Sequence, residues 1–203
     1  THRIAYLVRV CGIRPHRILA VTFTNKAARE MKERLEVLLG ESAGDLTLGT
    51  FHSICARILR QDGKAIGLDP QFTIYDDDDQ LNLIKQSLQE TGIDPKQYTP
   101  RAVQSAISYS KSHLLTPGDY AQQTSSYFEE VVSRVYEHYQ RLLVQSQTVD
   151  FDDLLMKVVQ LFEGHENILK KYQTRYLHIL VDEFQDTNIT QYKLIRLLGG
   201  KHK

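Results

Sequence analysis

The sequence predicts an α/β protein whose parallel sheet is interrupted by a long, all-helical segment. Short apolar runs alternate with amphipathic segments from the start of the chain to Tyr75, an order that produces parallel sheets. From there to about residue 148 every periodic segment has helical spacing. One further apolar run, His178–Val181, then ends in two carboxylates.

The elements follow in order along the chain. Residues 1–11 are predicted as a helix, and Ile18–Phe23 is a continuous apolar run typical of a strand buried on both faces. Thr24 or Asn25 can cap the next helix, whose apolar residues recur at spacings of three and four. The other elements are predicted as strands at 46–51, 72–75 and 178–181 and as helices at 52–62, 151–162, 165–174 and after 187.

Charge is distributed unevenly, which supports a composite chain. The 203 residues hold 25 Lys and Arg and 25 Asp and Glu, a zero balance that by itself disfavours a nucleic-acid partner. By region, however, residues 1–66 carry +5, residues 67–148 carry −5, and the remainder is balanced. We expect a sheet domain made of 1–76 and 149–203, with 77–148 inserted as a helical subdomain.

Composition excludes several classes of protein. A 41% apolar and 25% charged chain is ordinary for a globular protein and excludes disordered and fibrous classes. No apolar run approaches the roughly 18 residues that span a bilayer, so we expect no membrane partner. Cys11 and Cys55 are too few for a disulfide framework or a zinc site and fit a reducing compartment, the cytoplasm.

Two adjacent carboxylates, Asp182 and Glu183, follow the last predicted strand. Ligands of open parallel sheets bind outside the carboxyl ends of the strands. There, Asp182 can hold Mg²⁺ on the β- and γ-phosphates of a nucleotide, and Glu183 can polarise the attacking water. For the dipeptide alone, the alternative is that it merely ends a strand and caps the following helix.

Polar and aromatic residues also follow the first two predicted strands. Thr22–Asn25 joins a strand to a helix, where free backbone N–H groups and hydroxyls can bind phosphates. The Phe23 ring can stack on a base, worth about 1–3 kcal/mol per base, or can be a core residue beside a capped helix. Thr50–Ser53 repeats the arrangement. We reject a metal at His52 because neither Cys nor carboxylate stands at ligand spacing.

Two acidic runs are predicted to be structural. Asp76–Asp79 opens a helix, where carboxylates accept free N–H bonds and favour the helix dipole. A calcium loop alternates its ligands with spacers and contains a glycine turn, which this run lacks. In the second run Asp150 is predicted as an N-cap and Asp153 as the third helical residue, with a supporting role.

The string Asp182–Asn188 (DEFQDTN) resembles motif II, the Walker B segment, of the UvrD/Rep/PcrA branch of superfamily 1 helicases. Leu19–Met31 resembles motif Ia of that family, and Gly49–Ser53 resembles motif Ib. Val149–Leu154 is also typical of the branch. These segments occur in the family's order, with a helical insertion between the last two.

The resemblance implies a RecA-like fold of the P-loop NTPase type, with ATP and Mg²⁺ as cofactors. It implies a 3′-to-5′ helicase that moves on single-stranded DNA, acts at single/double-strand junctions and has a second RecA-like domain as partner. In such a protein Asp182 binds Mg²⁺, Glu183 activates water, and Gln185 is linked to the nucleotide site. The residues implied to line the DNA track are Phe23, Thr24, Asn25, Thr50 and His52.

Two parts of the family pattern are missing from these 203 residues. The phosphate-binding pattern G-x-x-x-x-G-K-[ST] is absent, and no segment follows motif II to supply the second RecA-like domain. We therefore expect most of a first RecA-like domain, catalytically inactive alone. The alternatives are the helicase subunit of a recombination nuclease, or a weak single-strand binding module without ATPase activity.

Overall fold

A computed structural model describes residues 1–200 of the protein as ten α-helices and five β-strands. The helices are α1 (His2–Arg9), α2 (Asn25–Leu39), α3 (Phe51–Asp62), α4 (Asp77–Glu90), α5 (Pro100–Ser112), α6 (Pro117–Ala121), α7 (Tyr127–Gln145), α8 (Phe151–Gly164), α9 (Glu166–Arg175) and α10 (Ile189–Gly199). The strands are β1 (Ile18–Thr22), β2 (Thr47–Thr50), β3 (Thr73–Ile74), β4 (Thr148–Val149) and β5 (His178–Val181).

The chain divides into two compact units. The sheet unit consists of residues 1–58 and the described residues from 158 onward, and the helical unit consists of residues 59–157. No described helix is long and apolar enough to cross a lipid bilayer.

The sheet unit is built on three parallel strands in the order β2-β1-β5. All five residues of β1 are buried, because this strand has a partner on each side and helices on both faces. Ile18 and Ala20 of β1 belong to a core with residues of α1 and α2. Leu19 and Val21 point to the opposite face, towards Phe51 of α3 and apolar residues of α10. The predicted α/β class with a parallel sheet is confirmed.

The helical unit has its own core. Twelve buried residues from α4, α5, α7 and the turn after α4 form one cluster, in which Tyr136 and Tyr139 are fully buried. The α4 helix begins as the sequence predicts. Asp76 accepts bonds from the backbone N–H groups of Asp78 and Asp79, and the Asp79 carboxylate accepts a bond from the Asp76 N–H. This capping box uses the acidic run as a helix start.

The third predicted strand, 72–75, lies where expected as β3, but it does not join the main sheet. It pairs in parallel with β4 through Thr73–Thr148 and Ile74–Val149, forming a two-stranded sheet within the helical unit. The β4 strand is not among the elements predicted from the sequence. Two residues are too few to show a strand period, and only the pairing with β3 defines them.

A buried ion cluster lies where β4 leads into α8. The ammonium of Lys111, fully buried on α5, is 2.6 Å from an oxygen of Asp150 and 2.9 Å from one of Asp153. Tyr139 donates a 2.7 Å hydrogen bond to Asp150, and Gln140 donates a 3.1 Å bond to Asp153. The Asp153 N–H donates to Asp150, as expected for the predicted cap. The supporting role of these carboxylates therefore includes holding a buried cation, a contact that is not among the sequence predictions.

Candidate functional site

The carboxyl ends of the three parallel strands meet at one edge of the sheet unit. Thr22, the last residue of β1, is in register with Thr50, the last residue of β2. Val181 at the end of β5 is in register with Val21, and the Asp182 N–H donates a 2.9 Å bond to the Val21 carbonyl. Each predicted site segment therefore begins at this carboxyl edge, where ligands of open α/β sheets bind.

Motif Ia presents a half-buried ring and a helix start at the carboxyl edge. The Phe23 ring lies 5.5 Å from the ring of Phe51, at an interplanar angle of 59°. Phe51 is buried and provides a fixed support beneath the more accessible Phe23. Thr24 is the cap of α2, because its hydroxyl accepts a 3.1 Å bond from the Ala27 N–H. Asn25, next in the chain, is exposed.

The positive charge of motif Ia is partly neutralised within α2. Lys26 lies 4.0 Å from Glu30, and Arg29 lies 3.9 Å from Glu33, all of them solvent-accessible. Pairs of this kind contribute only about 0.3–0.5 kcal/mol on a helix surface. They are weak enough for a phosphate to compete for either cation.

Motif Ib forms a tighter strand-to-helix turn. Thr50 is buried, with 7% of its surface accessible, and its hydroxyl accepts a bond from the Ser53 N–H. His52 is half-buried, and burial lowers the pKa of its imidazole, so the ring is neutral at pH 7. A neutral ring serves as a hydrogen-bonding group rather than as a cation.

Gly49 allows this turn to close. A Cβ at this position would lie 2.5 Å from the Ser53 hydroxyl oxygen, which donates a 2.9 Å bond to the Thr50 carbonyl. We expect Gly49→Ala to lower the free energy of unfolding by about 1–2 kcal/mol, because Ser53 must leave this bond. Chemical denaturation of the 203-residue chain measures the change.

The matched control is the same substitution in a Ser53→Ala background. The clashing oxygen is then absent, and the next nearest atoms to the added Cβ lie at 3.7–3.8 Å, an ordinary contact distance. Gly49→Ala should be close to neutral in that background. An equal loss in both backgrounds would show that Ser53 is not the cause.

Asp182, Glu183 and Gln185 are all exposed at the end of β5. Glu183 has φ 48° and ψ 47°, a left-handed conformation that is uncommon outside glycine. A single 3₁₀ turn, Phe184–Asp186, follows it. The Gln185 side-chain amide donates a 2.6 Å hydrogen bond to the Oε2 oxygen of Glu183. The family resemblance links Gln185 to the nucleotide site but does not predict this contact.

The residues of this segment fit a metal ion whose remaining ligands come from the substrate and from water. Within residues 1–200, no group of three or more His, Cys, Asp or Glu side chains converges as a metal cage would require. Magnesium is commonly held by only one or two carboxylates together with phosphate oxygens and water. The exposed carboxylate of Asp182 suits that mode of binding.

The family of the chain follows from its sequence. A profile of the family described as UvrD/REP helicase N-terminal domain matches residues 1–203. The chain belongs to this family. The resemblance found in its motifs and the RecA-like fold that it implied are thereby confirmed.

Full-length relatives agree with this assignment. A protein named ATP-dependent DNA helicase PcrA, from Bacillus subtilis (strain 168), is 48% identical over 201 residues, covering 99% of this chain and 27% of the relative. Proteins of the same name from Staphylococcus aureus (strain Mu50 / ATCC 700699) and Leuconostoc citreum are each 47% identical over the whole chain. The match covers 28% and 27% of their lengths, so the chain spans about a quarter of these relatives.

Proposed function

We propose that this chain is the first RecA-like domain, with its helical insertion, of an ATP-dependent DNA helicase. The observation that carries the proposal is the carboxyl edge, where Asp182 and Glu183 at the end of β5 adjoin the Phe23 and Thr50 segments. The relatives named ATP-dependent DNA helicase support the same activity. We assign 1–76 and 149–203 to the RecA-like core, 77–148 to the insertion and the protein to the cytoplasm.

In the proposed mechanism the two carboxylates have different tasks. Asp182 would hold Mg²⁺, which when bound would supply positive charge to the phosphates of the nucleotide. Glu183 accepts a hydrogen bond from the attacking water and orients it towards the γ-phosphate. Because both side chains are exposed at the carboxyl edge, ATP can reach them from solvent. A second RecA-like domain of the full-length protein is the proposed partner that closes over the nucleotide.

The DNA track in this proposal runs along the ends of β1 and β2. Phe23 stacks on a base, with Phe51 supporting its ring. The exposed Thr24–Asn25 segment begins α2, where free backbone N–H groups bind a phosphate. Thr50 is largely enclosed, so its contribution is to shape the turn that presents the neutral His52.

ATP hydrolysis by the full-length protein tests the proposal. We expect hydrolysis to be stimulated by single-stranded DNA and unwinding to require a 3′ single-stranded tail at the junction. Partial duplexes with a 3′ or a 5′ tail distinguish the polarity. Hydrolysis that is insensitive to DNA, or unwinding from the 5′ tail, would contradict the corresponding part of the proposal.

For the 203 residues alone we propose weak binding to single strands without hydrolysis. The supporting observations are that Thr24 and Asn25 of the track are exposed and that the sequence has no G-x-x-x-x-G-K-[ST] pattern. Titration of a labelled oligothymidylate at two salt concentrations should show binding that weakens steeply with salt, because phosphate contacts release counterions. Binding that is insensitive to salt would argue against a phosphate track.

Removing the Phe23 ring should weaken single-strand binding by the full-length protein. Loss of one stacked base corresponds to about 1–3 kcal/mol, so we expect Phe23→Ala to raise the dissociation constant roughly 5- to 150-fold. The salt slope should stay unchanged, since no phosphate contact is lost. Fluorescence anisotropy of a labelled strand measures both quantities.

Tyr6→Ala is the matched control for this experiment. Tyr6 is an exposed ring on α1, a helix that does not belong to the carboxyl-edge segments. Its removal should leave affinity within about twofold, the effect of an ordinary surface substitution. Unchanged affinity in Phe23→Ala would exclude the stacking role of this ring.

A further inference from the structure

The contact between Gln185 and Glu183 is not a consequence of regular structure. In an extended strand, residues two positions apart lie on the same face with their Cα atoms about 6.5–7 Å apart. Here the left-handed backbone at Glu183 and the following 3₁₀ turn reverse the chain. The Glu183 carbonyl accepts a 2.9 Å bond from the Asp186 N–H, which closes the turn.

A glutamate in the left-handed region costs free energy that a more ordinary turn would avoid. A second bond stabilises the turn, because the Thr187 hydroxyl donates a 2.8 Å hydrogen bond to the Phe184 carbonyl. The result is that the Gln185 amide meets one oxygen of the Glu183 carboxylate, Oε2, at 2.6 Å. Within residues 1–200, no hydrogen bond to the other oxygen, Oε1, competes with an incoming water.

We propose that Gln185 is a positioning residue that fixes the Glu183 carboxylate, by its bond to Oε2, so that Oε1 faces the attacking water. This inference rests on the proposed function, in which Glu183 orients that water. An exposed glutamate samples several rotamers, and only some of them aim an oxygen at the reacting phosphate. The amide holds one rotamer before the substrate arrives, which lowers the cost of reaching the reactive geometry.

The amide is suited to this task because it is a neutral donor. A lysine in its place would form an ion pair and would also attract the nucleotide's phosphates as a point charge. A neutral amide orients the carboxylate without adding charge. Substitutions at position 185 should therefore change the rate of hydrolysis more than the binding of ATP.

The experiment is a double-mutant cycle in the full-length protein, with steady-state ATP hydrolysis as the readout and single-turnover assays for the slow variants. We expect Gln185→Ala to lower kcat about tenfold, the effect of losing one hydrogen bond to a charged group, with the KM for ATP changed less than twofold. Gln185→Glu, which keeps the volume but replaces the donor by a repelling carboxylate, should lose more activity than Gln185→Ala.

The decisive comparison is Gln185→Ala in a Glu183→Gln background. A residue that acts only through the Glu183 carboxylate has no further effect once that carboxylate is gone. A residue that merely supports the fold lowers kcat by the same factor in both backgrounds. Glu163→Gln serves as the control, because it removes an exposed ion pair with Lys193 and no bond of this turn. Its effect should be equal in both backgrounds.

Failure of this inference can be distinguished from failure of the proposed function. If Glu183→Gln abolishes hydrolysis while Gln185→Ala has the wild-type kcat, Glu183 keeps its role and the positioning role of Gln185 is wrong. Equal losses in both backgrounds also overturn the positioning role. If Glu183→Gln itself hydrolyses ATP at the wild-type rate, the proposed function fails first.

Discussion

Substitution of Lys111 by methionine is expected to destabilise the helical unit by about 3–5 kcal/mol, the cost of leaving buried charges without their partner. The Lys111 side chain is 0% exposed, and its partners Asp150 and Asp153 are 1% and 3% exposed. Burial disfavours the charged ammonium, but the two carboxylates outweigh it and raise the pKa of Lys111. Burial likewise disfavours ionised Asp153, yet Lys111 holds the pKa of this carboxyl below its usual range.

Chemical denaturation of the 203-residue chain measures the effect, and two further variants isolate its cause. Lys170→Met removes a cation that lies 2.6 Å from Glu166 but is 53% exposed. That loss should stay below about 0.5 kcal/mol, since exposed helix pairs contribute little. Adding Asp150→Asn and Asp153→Asn to Lys111→Met should recover part of the stability, because no buried charge then lacks a partner.

The pH dependence of the free energy of unfolding provides an independent test of the buried ion cluster. In the wild type the pKa of Asp153 is lowered, so its stabilising contribution is complete above the usual aspartate pKa of about 3.9 and is lost below it. In Lys111→Met the buried Asp153 carboxylate lacks its cation, so its pKa rises and protonation favours the folded state. The stability gap between the two proteins should narrow from pH 7 to pH 5. A gap that widens would contradict this account.

Local patterns in the sequence were sufficient for most of the fold. The continuous apolar run of β1 and the spacing of α2 report burial directly, and the caps at Thr24 and Asp76 are hydrogen bonds within three residues. The ion cluster was different, because Lys111 and Asp150 are 39 positions apart and no local rule pairs them. One signal was present: Lys111 lies four and eight residues after the buried Ile107 and Val103, on the apolar face of α5.

In the candidate site, too, the positions that depend on local patterns could be predicted and the contacts between side chains could not. Parallel strands that end together place Phe23, Thr50 and Asp182 at one edge, so their proximity follows from the predicted sheet. The bond between Gln185 and Glu183 could not be predicted, because it depends on a left-handed backbone that only glycine or asparagine commonly signals. The support of Phe23 by Phe51 is also a contact between two segments and has no local signature.

Replacement of Glu183 by glutamine should have the largest effect on activity. Glutamine keeps the length of the side chain and tolerates the same backbone, but its amide cannot accept a proton or orient water as a carboxylate does. We expect kcat for ATP hydrolysis by the full-length protein to fall about 10²- to 10⁴-fold, the usual contribution of a positioned acid–base group. Binding of ATP and of single-stranded DNA should persist, because neither depends on this carboxylate.

Two companion variants separate this role from a general loss of charge. Asp182→Asn should increase the Mg²⁺ concentration needed for half-maximal hydrolysis, whereas Glu183→Gln should lower the rate at saturating Mg²⁺ without moving that midpoint. Glu163→Gln, which neutralises an exposed glutamate paired with Lys193 at 2.7 Å, should hydrolyse ATP at the wild-type rate. If Asp182→Asn and Glu183→Gln shift the Mg²⁺ midpoint equally, the two carboxylates share one task, and the assignment of separate roles to them is wrong.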